Sequence, residues 1–317
     1  MDVKHFFILN PKAGRKNCAD LLEPEIRGVC GRQKLDYEIY ITESVGDATN
    51  FVKKTCEQNP DKTLRFYACG GDGTLNEVIN GVVGAENASV GAVACGSGND
   101  FIKSIGDYDF RDVKATIEGH SKLVDLIYVK ELDRYSVNIC TIGFDSDVAA
   151  AMPSFKKIPL INGKIAYVLA VVKTFFNRMY HDYTVSLDDE EAEKQTLTLT
   201  SVANGSVYGG SFHAAPRAEI NDGLLDVCAV KKITKLQFLQ FVGPYQKGKH
   251  LDDPKISTFI TYKRAKKVEI SGEGTLNANI DGEIIPVENK ITFEVKKGAV
   301  NFIIPEYVVN KPETANV

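Results

Sequence analysis

Apolar and polar positions follow two different rhythms along this chain. Over residues 1 to about 120, short apolar runs alternate with stretches of helical spacing. Phe6-Phe7-Ile8-Leu9 reads as a first strand ending in the turn Asn10-Pro11-Lys12-Ala13-Gly14, and a helix is predicted over about 17–33. Tyr37 to Thr42 alternates as a second strand, and Asp47 to Cys56 reads as a helix. Leu64 to Cys69 predicts a third strand, running into Gly70-Gly71-Asp72-Gly73-Thr74 and a helix over about 75–83. Val90 to Ala94 predicts a fourth, followed by Gly96-Ser97-Gly98-Asn99-Asp100 and another short helix. Strands alternating with helices call for a parallel sheet covered on both faces.

After Gly119 the rhythm shortens. Val124–Val129, Tyr135–Ile142, Tyr183–Leu187, Gln195–Ala203, Leu225–Val230, Lys267–Ile270, Asn277–Ile280 and Lys290–Val295 read as strands separated by turn residues. That spacing predicts an antiparallel sandwich or barrel, interrupted by helices at about 160–178 and 234–244. Val300 to Ile304 is a last strand that could close either domain, and Asp188 to Glu191 reads as a solvated turn. The expected architecture is α/β plus β: a doubly wound, Rossmann-like nucleotide domain over 1–122, with 303–317 able to complete it, and an antiparallel β-sandwich domain over 123–302, with a cleft between them.

Composition narrows the class. A chain of 317 residues with 44% hydrophobic content can bury roughly 75% of its unfolded surface, and two domains are the default at this length. Lys and Arg number 38 against 42 Asp and Glu, so the net charge of −4 provides no overall basic field and argues against a nucleic-acid partner. The seven cysteines are scattered with no CxxC pair or zinc-knuckle spacing; their odd count predicts reduced thiols in a cytoplasmic protein. The N-terminus reads as a strand rather than a signal peptide. Ile158 to Phe176, the most apolar long segment, is broken by Asn162, Lys164 and Lys173 and falls short of the ~20 apolar residues of a membrane span.

Three glycine-bearing turns follow strands at the same edge of the predicted sheet, the carboxyl edge where ligands bind in open α/β folds. Glycines let a phosphate approach the backbone, and the helix that follows offers free N–H groups and the positive end of its dipole. Asp72 inside such a loop would repel a bare phosphate but makes sense with Mg²⁺ between them. The bland alternative at each turn is a capped strand-to-helix connection. Neither GxxxxGK[ST] nor GxGxxG occurs, which argues against a P-loop NTPase or a Rossmann dehydrogenase, and the isolated histidines exclude a spaced zinc site.

The motifs Asn10-Pro11-x-x-Gly14, Gly70-Gly71-Asp72-Gly73-Thr74-Leu75-Asn76-Glu77 and Gly96-Ser97-Gly98-Asn99-Asp100-Phe101 together resemble the catalytic domain of the diacylglycerol kinase and sphingosine kinase superfamily. Asn221-Asp222-Gly223-Leu224-Leu225-Asp226 and Asp281-Gly282-Glu283 extend the similarity to its soluble bacterial lipid-kinase branch. The resemblance implies that ATP is held by Asn10, Pro11, Lys12, Ala13, Gly14, Thr42, Gly70, Gly71, Asp72, Gly73, Thr74, Leu75, Asn76 and Ser97. It implies a structural and regulatory Mg²⁺ site at Asp222, Glu219 and Leu224, partly through backbone carbonyls. It places the catalytic base on the turn bearing Asp281 and Glu283, with Asp72 and Asp125 as further acidic residues of the site. Ala13 stands where the motif usually has Ser, and Ser97 where it has Thr; phosphate loops act mainly through backbone N–H groups, which both retain.

Phosphoryl transfer to an alcohol needs positioning, charge neutralisation and a carboxylate to accept the proton. The expected function is therefore ATP-dependent, Mg²⁺-requiring phosphorylation of a diacylglycerol-like lipid alcohol. Rival readings are an NAD kinase-like phosphotransferase, which shares the Gly-Gly-Asp-Gly-Thr loop, and a nucleotide-binding regulator without turnover. Of the carboxylates on the late turn, Glu283 is favoured as base, because Asp before Gly is a common structural turn former. A lipid substrate implies transient contact with the inner membrane surface. Lys157, Ile158, Pro159, Leu160 and the helix to Phe176, with Lys247, Lys249, Lys263-Arg264 and Lys266-Lys267, combine apolar and basic character for anionic headgroups. A homodimer is left open.

Overall fold

The computed structural model describes residues 3–14, 17–96, 98–158 and 163–308. The chain divides into two compact units, Met1–Val124 with Ala299–Val317, and Asp125–Gly298.

The first unit contains β1 (Val3–Leu9), α1 (Cys18–Gln33), β2 (Asp36–Ile41), α2 (Asp47–Gln58), β3 (Thr63–Gly70), α3 (Asp72–Val82), β4 (Ala88–Ala94), α4 (Asp100–Lys103) and α5 (Val113–Glu118). Its sheet runs β2-β1-β3-β4, and the end of the last strand, β13 (Glu283–Ile304), adds beside β4 through Asn301 and Phe302. All these pairings are parallel. The pleat sends alternate side chains to opposite faces. Phe7, Leu9, Tyr67 and Cys69 pack under Leu22, Ile26 and Val29 of α1 and Val113 and Ile117 of α5. Phe6 meets Phe51 of α2 edge-on at 6.2 Å on the other face. An order of 2-1-3-4-5 switches direction between β1 and β3, and the loops after those strands flank the switch point.

In the second unit, β5 (His120–Val129, crossing from the first) is followed by β6 (Arg134–Ser136), β7 (Ile139–Gly143), α6 (Phe144–Lys156), α7 (Gly163–Phe176), β8 (His181–Leu187), β9 (Glu193–Ala203), β10 (Leu225–Lys231), α8 (Lys235–Gln246), α9 (Pro254–Ser257), β11 (Ile260–Ala265), β12 (Lys267–Ile280) and β13. Its pairings are antiparallel. The long strands β9 and β12 each pair with β7 near one end and β8 near the other, so the ladder folds back around a core of Ile142, Tyr183, Leu197, Val227, Ile270 and Phe293. β12 bends at a register shift between Ser271 and Thr275, where Gly272 lies against Tyr183.

Some elements differ from those read off the pattern. β12 and β13 are long strands where short ones were expected, and α6 and β11 were not foreseen. α6 hides because Pro153 lies inside it, yet Asp145 and Asp147 in its first turn and Ala149–Ala151 are helix signals. The expectation of uniformly reduced thiols is overturned. Cys18 and Cys95 form a disulfide with their Cα atoms 6.2 Å apart, while Cys30, Cys56, Cys69, Cys140 and Cys228 are thiols. A separation of 77 residues concealed the pair. The cysteine argument for a reducing compartment falls with it.

Asp125 stitches the second unit together. It is fully buried; its Oδ2 accepts the Gly223 N–H at 2.6 Å and its Oδ1 the Gly298 N–H at 2.7 Å. Its own N–H donates to Ile220 O, and its carbonyl accepts from Asn204 Nδ2. In Asp125→Asn the amide NH₂ must face one of two buried backbone donors. Urea unfolding should show a loss of about 2–4 kcal/mol; a loss below about 1 kcal/mol would contradict this role.

Each unit also buries one uncharged imidazole. Burial, assisted by Arg65, lowers His5 to about 4, and burial lowers His250 to about 4. Unfolded histidine takes its proton near 6.5. Neither residue affects stability above that pH, and both withdraw it as pH falls from 6.5 towards 4, because only the unfolded chain binds the protons there. In His250→Asn the acid limb of the unfolding free energy should be shallower over that window; an unchanged slope would refute the assignment.

Candidate active site

Three loops meet at the carboxyl edge of the first unit's sheet. The Asn10 backbone N–H donates to Cys69 O at 3.1 Å, its side-chain Nδ2 donates to Thr74 Oγ1 at 3.1 Å, and its Oδ1 accepts the Lys12 N–H. Asn10 therefore ties the loop after β1 to the loop after β3. Gly70 O accepts from the N–H groups of both Cys95 and Gly96, which brings in the loop after β4. A Cβ at Gly96 would fall on the Gly71 backbone, so only glycine permits this approach. Thr42 closes the edge by donating its N–H to Leu9 O at 2.9 Å.

Asp72 opens α3, whose first turn has no side-chain cap. The N-cap is Gly71, and a helix N-terminus favours an anion through its dipole. The Asp72 Oδ1 accepts the Asp100 N–H at 2.6 Å, linking the second loop to the third. Asn76 and Thr74 are buried beneath the loop, and Glu77 accepts the Ala48 N–H at the start of α2. Gly14 adopts a left-handed φ of 76°. Pro11, Lys12, Ala13, Gly71, Gly73 and Leu75 complete the two loops. Ser97 lies outside the described residues.

The second-unit carboxylates occupy distinct settings. Asp281 and Gly282 form the two-residue turn between β12 and β13, with φ of 48° and 95°, the left-handed pair of a tight hairpin. The Asp281 carboxylate accepts from Ser136 Oγ at 2.7 Å and from the backbone N–H groups of Val137, Asn138 and Ile139 at 2.9, 3.1 and 3.2 Å. Glu283 is exposed and pairs with Arg134 Nη1 at 2.8 Å. The two carboxylates thus take different partners on the 134–139 segment.

The expected Mg²⁺ ligands are Asp222, Glu219 and Leu224, partly through backbone carbonyls. Glu219 is exposed, and among the described residues no group of three or more His, Cys, Asp or Glu could hold a metal. Asp222 Oδ1 accepts the Leu224 N–H, while its buried Oδ2 faces Arg264 Nη1 at 3.4 Å. Asp226, from the same motif, accepts from Tyr262 OH at 2.7 Å and Arg264 Nε at 3.2 Å. Burial raises the Asp226 carboxyl, and the Tyr262 and Arg264 donors oppose the rise. The Arg264 guanidinium brings positive charge to Asp222 and Asp226, while the buried Asp222 Oδ2 has no hydrogen-bond partner among the described residues.

Much of the expected basic patch is also neutralised: Lys263 pairs with Glu190, Arg264 with Asp226 and Asp222, and Lys267 with Glu269. Pro159 and Leu160 lie outside the described residues. The sequence reading missed Asp145 and Asp147 at the start of α6. Asp145 is half-buried near Tyr208, and desolvation raises both its carboxyl and the Tyr208 phenol. Asp147 accepts from Asn277 Nδ2 at 3.0 Å and pairs with His181 Nε2 at 2.6 Å. Two acidic residues in the first turn of an unrecognised helix were the available signal.

A parallel sheet with three glycine-bearing loops at its carboxyl edge, joined to an antiparallel β domain, defines a fold class that includes lipid and NAD kinases. Residues 4–129 match the diacylglycerol kinase catalytic domain, and residues 138–304 match the YegS C-terminal NAD kinase beta sandwich-like domain. The chain belongs to the diacylglycerol kinase family. It is 30% identical over 279 residues to the diacylglycerol kinase of Staphylococcus saprophyticus, covering 87% of each chain. It is 26% identical to that of Bacillus subtilis, covering 87% of this chain and 88% of that protein. A solved diacylglycerol kinase structure from Bacillus anthracis shares the fold at a TM-score of 0.68 and 21% identity, over 96% of this chain and 98% of that one. An NAD kinase from Archaeoglobus fulgidus in complex with ATP shares it more distantly, at 0.52 and 11%, over 95% and 94%.

Proposed function

We propose that this protein is an ATP-dependent kinase that phosphorylates the hydroxyl of a diacylglycerol-like lipid. The observation that carries the reading is the convergence of three loops, through Asn10–Thr74, Gly70–Cys95/Gly96 and Asp72–Asp100, on one sheet edge at the start of α3. The curated relatives named diacylglycerol kinase support the lipid as acceptor.

The nucleotide enters as its Mg²⁺ complex, its phosphates held by backbone N–H groups at Gly71–Thr74 and by the loop from Asn10 to Gly14. By the motif alone, Ser97 is the further hydroxyl donor proposed for the nucleotide. The lipid hydroxyl oxygen attacks the γ-phosphorus, the bond to the β-phosphate oxygen breaks, and ADP leaves. Glu283 takes the hydroxyl proton. Asp281 has its carboxylate committed to the 136–139 backbone and acts as a positioning residue, as does Asp125.

Access to a bilayer substrate is proposed through the second unit's helices. Ile165, Val168, Val172 and Phe176 of α7 and Leu236 and Leu239 of α8 are exposed, and Lys235 lies 4.8 Å from the centre of the Phe176 ring. Apolar residues with lysines among them suit an interfacial helix. No helix among the described residues is long and apolar enough to cross a membrane.

Transfer of labelled phosphate from ATP to a panel of diacylglycerols, other lipid alcohols and NAD tests the reading. Label in a diacylglycerol supports it. Label in NAD alone, or in nothing, overturns it.

A further inference from the structure

The bonded cysteines stand at two of the three converging loops. Cys18 is the first residue of α1, next to its N-cap Asn17 and four residues beyond Gly14. Cys95 directly follows β4 and precedes Gly96. Between them lies the end of β3: Cys69 O accepts the Asn10 N–H, and Gly70 O accepts the N–H groups of Cys95 and Gly96. The disulfide therefore closes a covalent ring across the second loop, joining the first to the third. The other loop contacts described above are hydrogen bonds, so the disulfide is the covalent tie.

We propose that Cys18–Cys95 is a reversible thiol–disulfide modification site that sets nucleotide affinity, with low-molecular-weight dithiols and disulfides as its reaction partners. The proposal rests on the reading of these loops as a nucleotide site. Cys18 is buried and Cys95 only partly so, which makes the Cys95 sulfur the point of attack. The thiolate of an external dithiol bonds to Cys95 Sγ, the Cys18–Cys95 bond breaks, and Cys18 leaves as a thiolate that takes a proton. The reagent's second thiolate then displaces Cys95, which is also protonated. Two electrons pass to the protein, and the reagent becomes a cyclic disulfide. Once reduced, the Cys18 thiol has an acceptor within reach, because its sulfur lies 3.5 Å from Cys69 O. Burial raises the Cys69 thiol at this edge, and pushes Cys30 and Cys56 up to about 11, away from the reactive thiolate.

The direction follows from preorganisation. A ring that holds the first and third loops in place spares the nucleotide the cost of ordering them. The disulfide form is the tighter binder.

The test is made on the full chain. Alkylation and peptide mass spectrometry should find Cys18 and Cys95 protected before treatment with a small dithiol, labelled after it, and protected again after oxidised glutathione. Calorimetric titration with ATP and Mg²⁺ should show Kd rising roughly three- to tenfold on reduction. Cys95→Ser should bind at the reduced-state affinity with or without dithiol, and Cys56→Ser should keep the full redox response. Equal affinity in both states, tighter binding on reduction, or a pair already alkylated in untreated protein overturns the switch while leaving the nucleotide site standing. Absence of ATP binding in every state and variant overturns the nucleotide reading and the switch with it.

Discussion

Asp72→Ala should lower phosphoryl transfer from ATP by at least ~100-fold, the scale of losing one positioned charge-stabilising group. The carboxylate sits at the first position of α3, in the loop proposed to hold the phosphates, and accepts the Asp100 N–H at 2.6 Å. Its removal has two consequences that can be separated. The third loop loses its tie to the second, which should cost about 1 kcal/mol of stability, as for a lost helix cap. The charge that faces the incoming nucleotide and its cation disappears as well, and that loss should account for most of the rate effect. Asp72→Asn keeps an acceptor for Asp100 but not the charge, so its melting temperature should stay near wild type while its rate stays low. Rates within threefold of wild type in both variants would exclude Asp72 from the chemistry.

The second large effect separates the two carboxylates of the late hairpin. Glu283→Gln should lower kcat by ~10²–10⁴-fold with the ATP affinity and the melting temperature nearly unchanged, as expected for an exposed general base. Asp281→Asn should behave differently. Its new amide NH₂ must face the cluster of N–H and O–H donors at Ser136–Ile139, so stability should fall by about 1–3 kcal/mol along with activity. The measurement is kcat and thermal unfolding on the same preparations. If Glu283→Gln turns over lipid at wild-type rate, the proton goes elsewhere; if Asp281→Asn is as stable as wild type, its anchoring role is wrong.

These outcomes depend on features of unequal visibility in the sequence. The alternation of apolar runs with helical stretches defined the first unit's parallel sheet, because strand and helix periodicities are local and each short loop leaves one reasonable connection. Glycine-rich turns were equally plain, since a close backbone approach such as Gly96 on Gly71 admits no side chain. Asp281-Gly282 announced a hairpin for the same local reason.

Tertiary structure decided what those local signals were for. Asp281 serves residues 136–139 across 145 positions of sequence, and Cys18 finds Cys95 across 77. Arg264 reaches the Asp222–Asp226 motif. Lys263 and Lys267, basic on paper, are spent on Glu190 and Glu269. Asp125, an acidic residue of no special pattern, turns out to hold two backbone donors that nothing near it in sequence reveals. Backbone preference acts over a few residues and can be read from their order; the partner of a charge or a thiol is set by which strands the topology makes neighbours.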